Sequence, residues 1–132
     1  MNSKPSTEAS GFRISLGERG EMVAWNFLRQ QGYRLLAKNY RCKIGEIDVV
    51  AERNGRIAFV EVKTRAGLGF GYPEESVNAF KQRKMVRLAQ WYLKAEKLTD
   101  RPVSFDVVSI LWPDNTDPKI RLLQDAFTAD AS

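Results

Sequence analysis

The chain has 132 residues, of which 43% are hydrophobic and 28% are charged, with a net charge of +5. A chain of this length suits one domain with a real hydrophobic core. It contains no histidine and one cysteine, which excludes His-dependent nucleophilic triads, His- or Cys-rich zinc sites and an internal disulfide. The positive charge favours an anionic partner, nucleic acid first, although solubility alone also accounts for it.

Several features bear on where the protein works. No apolar run approaches the ~20 residues needed to cross a membrane. The N-terminal sequence MNSKPSTEASGF lacks the apolar core of a signal peptide. With Cys42 as its single thiol, the chain is typical of the cytoplasm of a cell that keeps thiols reduced. We expect a cytoplasmic protein with no membrane partner.

The first half of the chain predicts one helix and three strands. Residues 1–14 are polar, and we expect them to be partly disordered. Ser15 suits the N-cap of a helix that runs to about Gln31 and is followed by Gly32. YRLLAKNYR predicts the first strand. GEIDVVAERNGRIAFVEVKTR then predicts a hairpin, with strands at about 44–52 and 56–64 around an Asn-Gly turn.

The second half predicts one helix and two strands. AGLGFGYP predicts a glycine-rich loop, and Asn78 suits the N-cap of a helix over about 79–97. VSFDVVSIL predicts a fourth strand at 103–111, PDNTDP a turn and KIRLLQDAF a fifth strand. We expect a single α/β domain over 15–127, in the order αβββαββ. A central mixed sheet would be flanked by the helices, with a tail at 128–132.

The Asn-Gly turn fixes which residues of the hairpin strands face each other. The predicted pairs are Arg53 with Arg56, Val50 with Phe59, Asp48 with Glu61 and Glu46 with Lys63. Because side chains alternate along a strand, all four of the inner charged residues would share one face. Carboxylates directly opposite each other, such as Asp48 and Glu61, lie about 5 Å apart at Cβ and repel.

A cation between these carboxylates would explain the pair. Two carboxylates, a backbone carbonyl and waters make an open Mg²⁺ or Mn²⁺ site. Such an ion lowers the pKa of a bound water and stabilises charge on a phosphoryl oxygen. Lys63 would point to the same side and orient the water or offset phosphate charge. A solvated hairpin face is the alternative; it explains Glu46 with Lys63 but not Asp48 with Glu61.

The spacing from Asp48 to Glu61-Val62-Lys63 is similar to the Asp…Glu-x-Lys signature of the PD-(D/E)xK nuclease superfamily. The chain also carries a longer succession of segments, in the order GERGEMVAWNFLRQQGYRLLAKNYR, GEIDVVA, FVEVKTR, FGYPEESV, a basic helix and FDVV. In this succession it closely resembles the YraN family. These are small bacterial proteins predicted to be endonucleases. The resemblance covers about residues 13–127. It implies a restriction-endonuclease-like fold, shared more distantly with archaeal Holliday junction resolvases, and metal-dependent phosphodiester hydrolysis that leaves 5′-phosphates.

The resemblance also assigns roles to particular residues. Asp48 and Glu61 become metal ligands, Val62 contributes its backbone carbonyl, and Lys63 becomes the catalytic lysine. Glu21 matches a helix carboxylate of the resolvase-like branch, which makes it an additional candidate ligand and catalytic group. A solvated glutamate favoured by the helix dipole is the alternative for Glu21. The superfamily often has Pro-Asp where this chain has Ile-Asp.

Basic residues near these positions are candidate nucleic-acid contacts. The candidates are Arg41, Lys43, Arg65, Lys81, Lys84 and Arg87. The last three lie near the start of the second helix, where the helix N-terminus already favours anions. Ordinary surface charge is the alternative for all six. Asp106, in an apolar strand, is expected to make a structural hydrogen bond or ion pair.

Together these features predict a Mg²⁺- or Mn²⁺-dependent endonuclease that acts on DNA. With no separate recognition domain in the sequence, we expect selectivity for branched or flap structures rather than for a duplex sequence. Cutting paired strands would favour a two-fold homodimer. The rival interpretation is a nucleic-acid-binding module with a vestigial or very weak nuclease site.

Overall fold

The computed structural model describes residues 14–67, 69, 72–114 and 116–129. Its elements are helix α1 (Leu16–Gln30), strands β1 (Arg34–Cys42), β2 (Gly45–Arg53) and β3 (Arg56–Arg65), a 3-10 helix (Pro73–Ser76), helix α2 (Ala79–Ala95), and strands β4 (Val103–Leu111) and β5 (Lys119–Phe127). The predicted order αβββαββ is confirmed. Residues 1–13 and 130–132, most of the segments expected to be a disordered N-terminus and a tail, lie outside the described residues.

The five strands form one mixed sheet in the order β1-β2-β3-β4-β5. Neighbouring strands are antiparallel except β3 and β4, which are parallel. Parallel neighbours need a crossover connection, and α2 lies in that connection. The sheet is therefore mixed and flanked by helices, as expected. No helix among the described residues has both the length and the apolar character to span a bilayer.

Both helices begin at the predicted caps. The Ser15 hydroxyl accepts the Glu18 N–H at 3.1 Å, and the Glu18 carboxylate accepts the Ser15 N–H at 3.0 Å, which is a complete capping box. The Asn78 side chain accepts the Lys81 N–H at 3.0 Å. Helix α2 ends at Ala95, slightly earlier than the predicted 97.

The two helices cover opposite faces of the sheet. On one face α1 packs through Ala24 and Leu28 against alternate residues of β2 and β3: Val49, Ala51, Ala58, Val60 and Val62. On the other face α2 packs against Val50, Ile57 and Phe59 through its predicted apolar residues: Met85, Leu88, Ala89 and Tyr92. Leu28 and Phe59 are fully buried, so truncating either would cost about 2–5 kcal/mol.

The N-terminal parts of both helices lie beside the C-terminal end of β3. Gly20 of α1 is so close to Thr64 that a Cβ at this position would lie 1.9 Å from Thr64 Oγ1. Lys81, in the first turn of α2, reaches Glu61 of the same strand, with 3.8 Å between its Nζ and Oε2. The packing therefore brings two helix N-termini and the end of β3 together.

Candidate active site

The β2–β3 ladder ends where the carboxylates begin. Its register runs from Arg53 paired with Arg56 to Val49 paired with Val60, and it includes the predicted pair of Val50 and Phe59. The ladder does not continue to Asp48 and Glu61. Instead, Asp48 Oδ2 accepts the backbone N–H of Val62 at 2.8 Å. The Asp48 carboxylate thus takes the place of the β2 backbone carbonyl that would accept the Val62 N–H in a continued ladder.

The two strands diverge at this point. In a continued ladder Ile47 would face Val62, and cross-strand partners share a face. Ile47 instead packs with the α2 cluster and Val62 with the α1 cluster. We call the place where β2 and β3 part, formed by Asp48, Glu61, Val62 and Lys63, the strand split.

The strand split changes the predicted charge pairs. The expected pairing of Glu46 with Lys63 is wrong, since Glu46 Oε2 lies 3.5 Å from Arg41 Nε of β1 and Lys63 Nζ lies 3.1 Å from Glu61 Oε2. The physical reason is the hydrogen bond from Val62 to Asp48, which ends the regular alternation on which the pairing was based. The four charged residues therefore do not share one face.

Two lysines contact the same carboxylate oxygen at the strand split. Lys63 of β3 and Lys81 of α2 lie 3.1 and 3.8 Å from Glu61 Oε2. Glu61 and Lys63 are mostly buried, at 15% and 21% side-chain exposure, whereas Lys81 is 42% exposed. Lys81 therefore contacts the strand split through Glu61, and its contact with phosphate stays a prediction.

Burial and neighbouring charge perturb the titratable groups here. Burial raises the pKa of Asp48 to about 7, and the negative charge of Glu61 raises it as well. The hydrogen bond from the Val62 N–H acts to lower this pKa, whereas the charges of Glu21 and Glu46 raise it further. Contact with Lys63, together with burial, lowers the pKa of Lys81. Burial also acts to lower the pKa of Lys63, but its contacts with Lys81 and Glu61 outweigh burial and raise it.

Glu21 of α1 lies near Asp48 and contacts Asn39 of strand β1. With its amide nitrogen turned toward them, Asn39 donates to Glu46 Oε2 at 3.1 Å and to Glu21 Oε1 at 3.2 Å. Burial raises the pKa of Glu21, and the charge of Glu46 raises it further. Glu21 is therefore half-buried and held near Asp48, unlike the freely solvated glutamate of the alternative interpretation.

Some atoms at the strand split are of the kind that a hard divalent cation binds. Asp48 Oδ1 has no hydrogen-bond partner among the described residues. Because the N–H and C=O of a strand residue point to the same edge, the Val62 carbonyl also faces β2. Two carboxylates, one carbonyl and waters make a typical Mg²⁺ site.

A third carboxylate does not join them. In the part of the chain that the structure describes, no three His, Cys, Asp or Glu side chains are grouped so that they could hold a metal ion. The structure places Glu21 with Asn39 and Glu46 instead. Its role as an additional ligand stays a prediction.

The remaining candidate nucleic-acid contacts have different surroundings. Arg41 is bound to Glu46, and the Lys84 side chain lies over Gly45 at the start of β2. The Arg65 Nε is buried without a hydrogen-bond partner among the described residues. Lys43 and Arg87 are exposed. Of the six, Lys81 is the one whose ammonium contacts the strand split.

Two features were not found from the sequence. The 3-10 helix after the glycine-rich loop carries Glu74, whose carboxylate accepts the Ser109 hydroxyl and lies 2.6 Å from Arg121. Ser109 is the β4 neighbour of Lys63, so Glu74 fixes the 3-10 helix next to the strand split. The other feature is Asn39, whose polar side chain in a strand gave no signal of its own.

Asp106 has the structural role expected of it. It is buried, and it accepts the Tyr33 hydroxyl at 3.1 Å and the Asp125 N–H at 2.9 Å. Burial raises its pKa, while these donors act in the opposite direction. Its hydrogen-bonding groups are satisfied inside the fold, and it takes no part in the strand split.

Comparisons with known proteins identify the family. The model of the uncharacterised protein family UPF0102 matches residues 20–110, which include the strand split, most of α1 and the N-terminus of α2. A UPF0102 protein of Geotalea daltonii is 43% identical over 113 residues, covering 86% of this chain and 89% of that protein. Similar UPF0102 proteins occur in Syntrophotalea carbinolica (47% over 98 residues; 74% and 80% covered) and Lachnoclostridium phytofermentans (45% over 113 residues; 85% and 92% covered). The chain therefore belongs to the uncharacterised protein family UPF0102, the YraN family that its motifs resemble.

Proposed function

We propose that this protein is a Mg²⁺- or Mn²⁺-dependent endonuclease that hydrolyses phosphodiester bonds in DNA. The observation that carries the proposal is the strand split: Asp48 ends the β2–β3 ladder by binding the Val62 N–H and lies beside Glu61 and Lys63. Burying two carboxylates this close together costs the fold free energy, which the raised pKa of Asp48 reflects. The Asp…Glu-x-Lys pattern of the nuclease superfamily requires this combination of two carboxylates and a lysine.

Each residue at the strand split has a chemical task in this proposal. Asp48, Glu61 and the Val62 carbonyl would hold the divalent cation, which would supply positive charge to the phosphate and make water more acidic. Lys63 would orient the attacking water or stabilise charge on the phosphate. Lys81, which is more exposed than Lys63, would meet the substrate phosphate from the α2 side.

Branched or flap DNA is the substrate class we favour. The described residues form one five-stranded sheet with a helix on each face, and the strand split lies where two of its strands part. The positive net charge supports binding to the phosphate backbone of any DNA. Selectivity would then come from the shape of the DNA at the strand split.

One observation favours a second candidate, a nucleic-acid-binding module with a vestigial site. Glu61 already has two cationic partners, Lys63 and Lys81, in the protein alone. A carboxylate compensated in this way does not need a metal ion. The same basic residues would still bind DNA, so cleavage rather than binding separates the two candidates.

The first prediction concerns cleavage of a labelled panel of junction, flap, single-strand and duplex DNA. We expect Mg²⁺ or Mn²⁺ to support nicking of the branched members, and Ca²⁺ or EDTA to permit no cutting. The Asp48→Ala and Glu61→Ala variants should be inactive. Equal cleavage by wild type and Asp48→Ala would reveal a contaminating nuclease and reject the proposal. DNA binding with no cleavage under any condition would favour the binding module.

A further inference from the structure

Asn39 has an unusual backbone conformation for a residue inside a strand. Its φ is +53°, in the left-handed region. Its neighbours in β1 are regularly paired, Lys38 with Val49 and Tyr40 with Ile47, which places Asn39 opposite Asp48. A left-handed conformation costs a non-glycine residue roughly 1–2 kcal/mol, and asparagine adopts it more readily than most. The distorted backbone of Asn39 therefore lies directly across from Asp48, at the strand split.

The Asn39 side chain joins three elements at this position. In the amide orientation that satisfies both its oxygen and its nitrogen, Asn39 donates to Glu21 Oε1 of α1 at 3.2 Å and to Glu46 Oε2 of β2 at 3.1 Å. An amide nitrogen carries two hydrogens, so one can serve each carboxylate. Two carboxylates this close to a common donor would otherwise repel each other, and the amide offsets that repulsion without adding charge.

We propose that Asn39 is a positioning residue, whose amide holds Glu21 and Glu46 beside Asp48 and thereby sets the acidic surroundings of the strand split. The inference deepens the proposed function and rests on it for its effect on catalysis. Asn39 acts through the carboxylates and does not contact the reacting atoms. Outer-shell partners of this kind typically change metal affinity or activity by about ten- to a hundredfold when they are removed.

The test uses Asn39→Gly, which removes the amide but keeps the backbone conformation, since glycine adopts a positive φ without steric cost. Asn54→Gly is the matched control, because Asn54 also has a φ of +53° but lies exposed in the hairpin turn. We expect Asn39→Gly to fold and to bind Mn²⁺ about ten- to a hundredfold more weakly. We also expect kcat to fall with KM for DNA unchanged. Asn54→Gly should behave like wild type in both assays.

A second measurement separates this inference from the proposed function. Melting temperatures of Asn39→Gly, Glu21→Ala and the double variant form a cycle that needs neither metal nor DNA. If Asn39 holds Glu21, the change in the double variant differs from the sum of the single changes. An additive cycle, or Mn²⁺ binding by Asn39→Gly equal to that of Asn54→Gly, overturns the inference. If wild type neither binds Mn²⁺ nor cuts DNA, the proposed function fails, and the cycle alone decides the role of Asn39.

Discussion

Asp48 determines the local structure of the strand split. Its carboxylate replaces a backbone acceptor for Val62, and the strands part beyond it. The sequence predicted the residues that meet here, because the Asn-Gly turn fixed the register as far as Val49 and Val60. It could not predict the break, since simple alternation carries no information on a side chain that competes for a backbone N–H. The pairing of Glu46 with Lys63 failed for that reason.

The raised pKa of Asp48 gives the second prediction, a pH dependence of stability. The native pKa of Asp48, about 7, exceeds the ordinary aspartate pKa of 3.8, so the native state binds this proton more tightly than the unfolded state does. The associated stabilisation is full below pH about 4 and is lost as the pH rises toward about 7. In Asp48→Asn the amide oxygen can still accept from Val62, and no charge appears. We therefore expect the melting temperature of Asp48→Asn to rise relative to wild type between pH 4 and pH 8.

This comparison should be made in EDTA by calorimetry, with Asp100→Asn as the control. Asp100 is an exposed aspartate in the turn after α2, so its substitution changes the net charge equally without touching the strand split. Its difference from wild type should show no such trend. A constant difference between Asp48→Asn and wild type across this pH range would contradict the burial of a protonated Asp48.

At the scale of elements, local signals predicted most of the fold. Caps at Ser15 and Asn78 set the starts of α1 and α2, and the bounds of β4 and β5 were predicted to the residue. The 3-10 helix was missed because its stabilising contacts are remote in sequence. Glu74 is held by Ser109 of β4 and Arg121 of β5, and no short window of sequence reports such partners.

The close approach of α1 to β3 gives the third prediction. A Cβ on Gly20 would lie 1.9 Å from Thr64 Oγ1 and 2.9 Å from Thr64 Cβ, and a β-branched side chain has little freedom to move aside. We expect Gly20→Ala to destabilise the protein by about 1–3 kcal/mol. Urea unfolding monitored by circular dichroism measures this change.

Gly17→Ala is the matched control on the same helix. The nearest atom to a Cβ on Gly17 is Ser15 Oγ at 3.9 Å, which is ordinary contact. Alanine favours the helix over glycine by up to about 1 kcal/mol, so this variant should be as stable as wild type or more stable. Equal stability of the two alanine variants would mean that α1 does not pack as tightly on β3 as described.

At the scale of the whole molecule, topology brings the strand split and its neighbours together from separate elements. Asp48 comes from β2, and Glu61 and Lys63 come from β3. Helix α2 adds Lys81, which contacts Glu61, and helix α1 adds Glu21, which contacts Asn39. The parallel crossover through α2 and the antiparallel hairpin are both needed for this arrangement. Sequence motifs named the residues on β2 and β3. The positions of Lys81 and Asn39 depend on packing between elements, so they emerged only from the structure.

The most direct test of the strand split as a cation site is the melting temperature in EDTA and in Mn²⁺. A ligand that binds only the native state stabilises it by RT ln(1 + [L]/Kd), about 2.7 kcal/mol at a hundredfold excess over Kd. For a domain of this size that corresponds to several degrees. Wild type should gain this stability and Asp48→Asn should lose most of the gain. Destabilisation of Asp48→Asn in EDTA, together with no Mn²⁺ shift in wild type, would contradict the account.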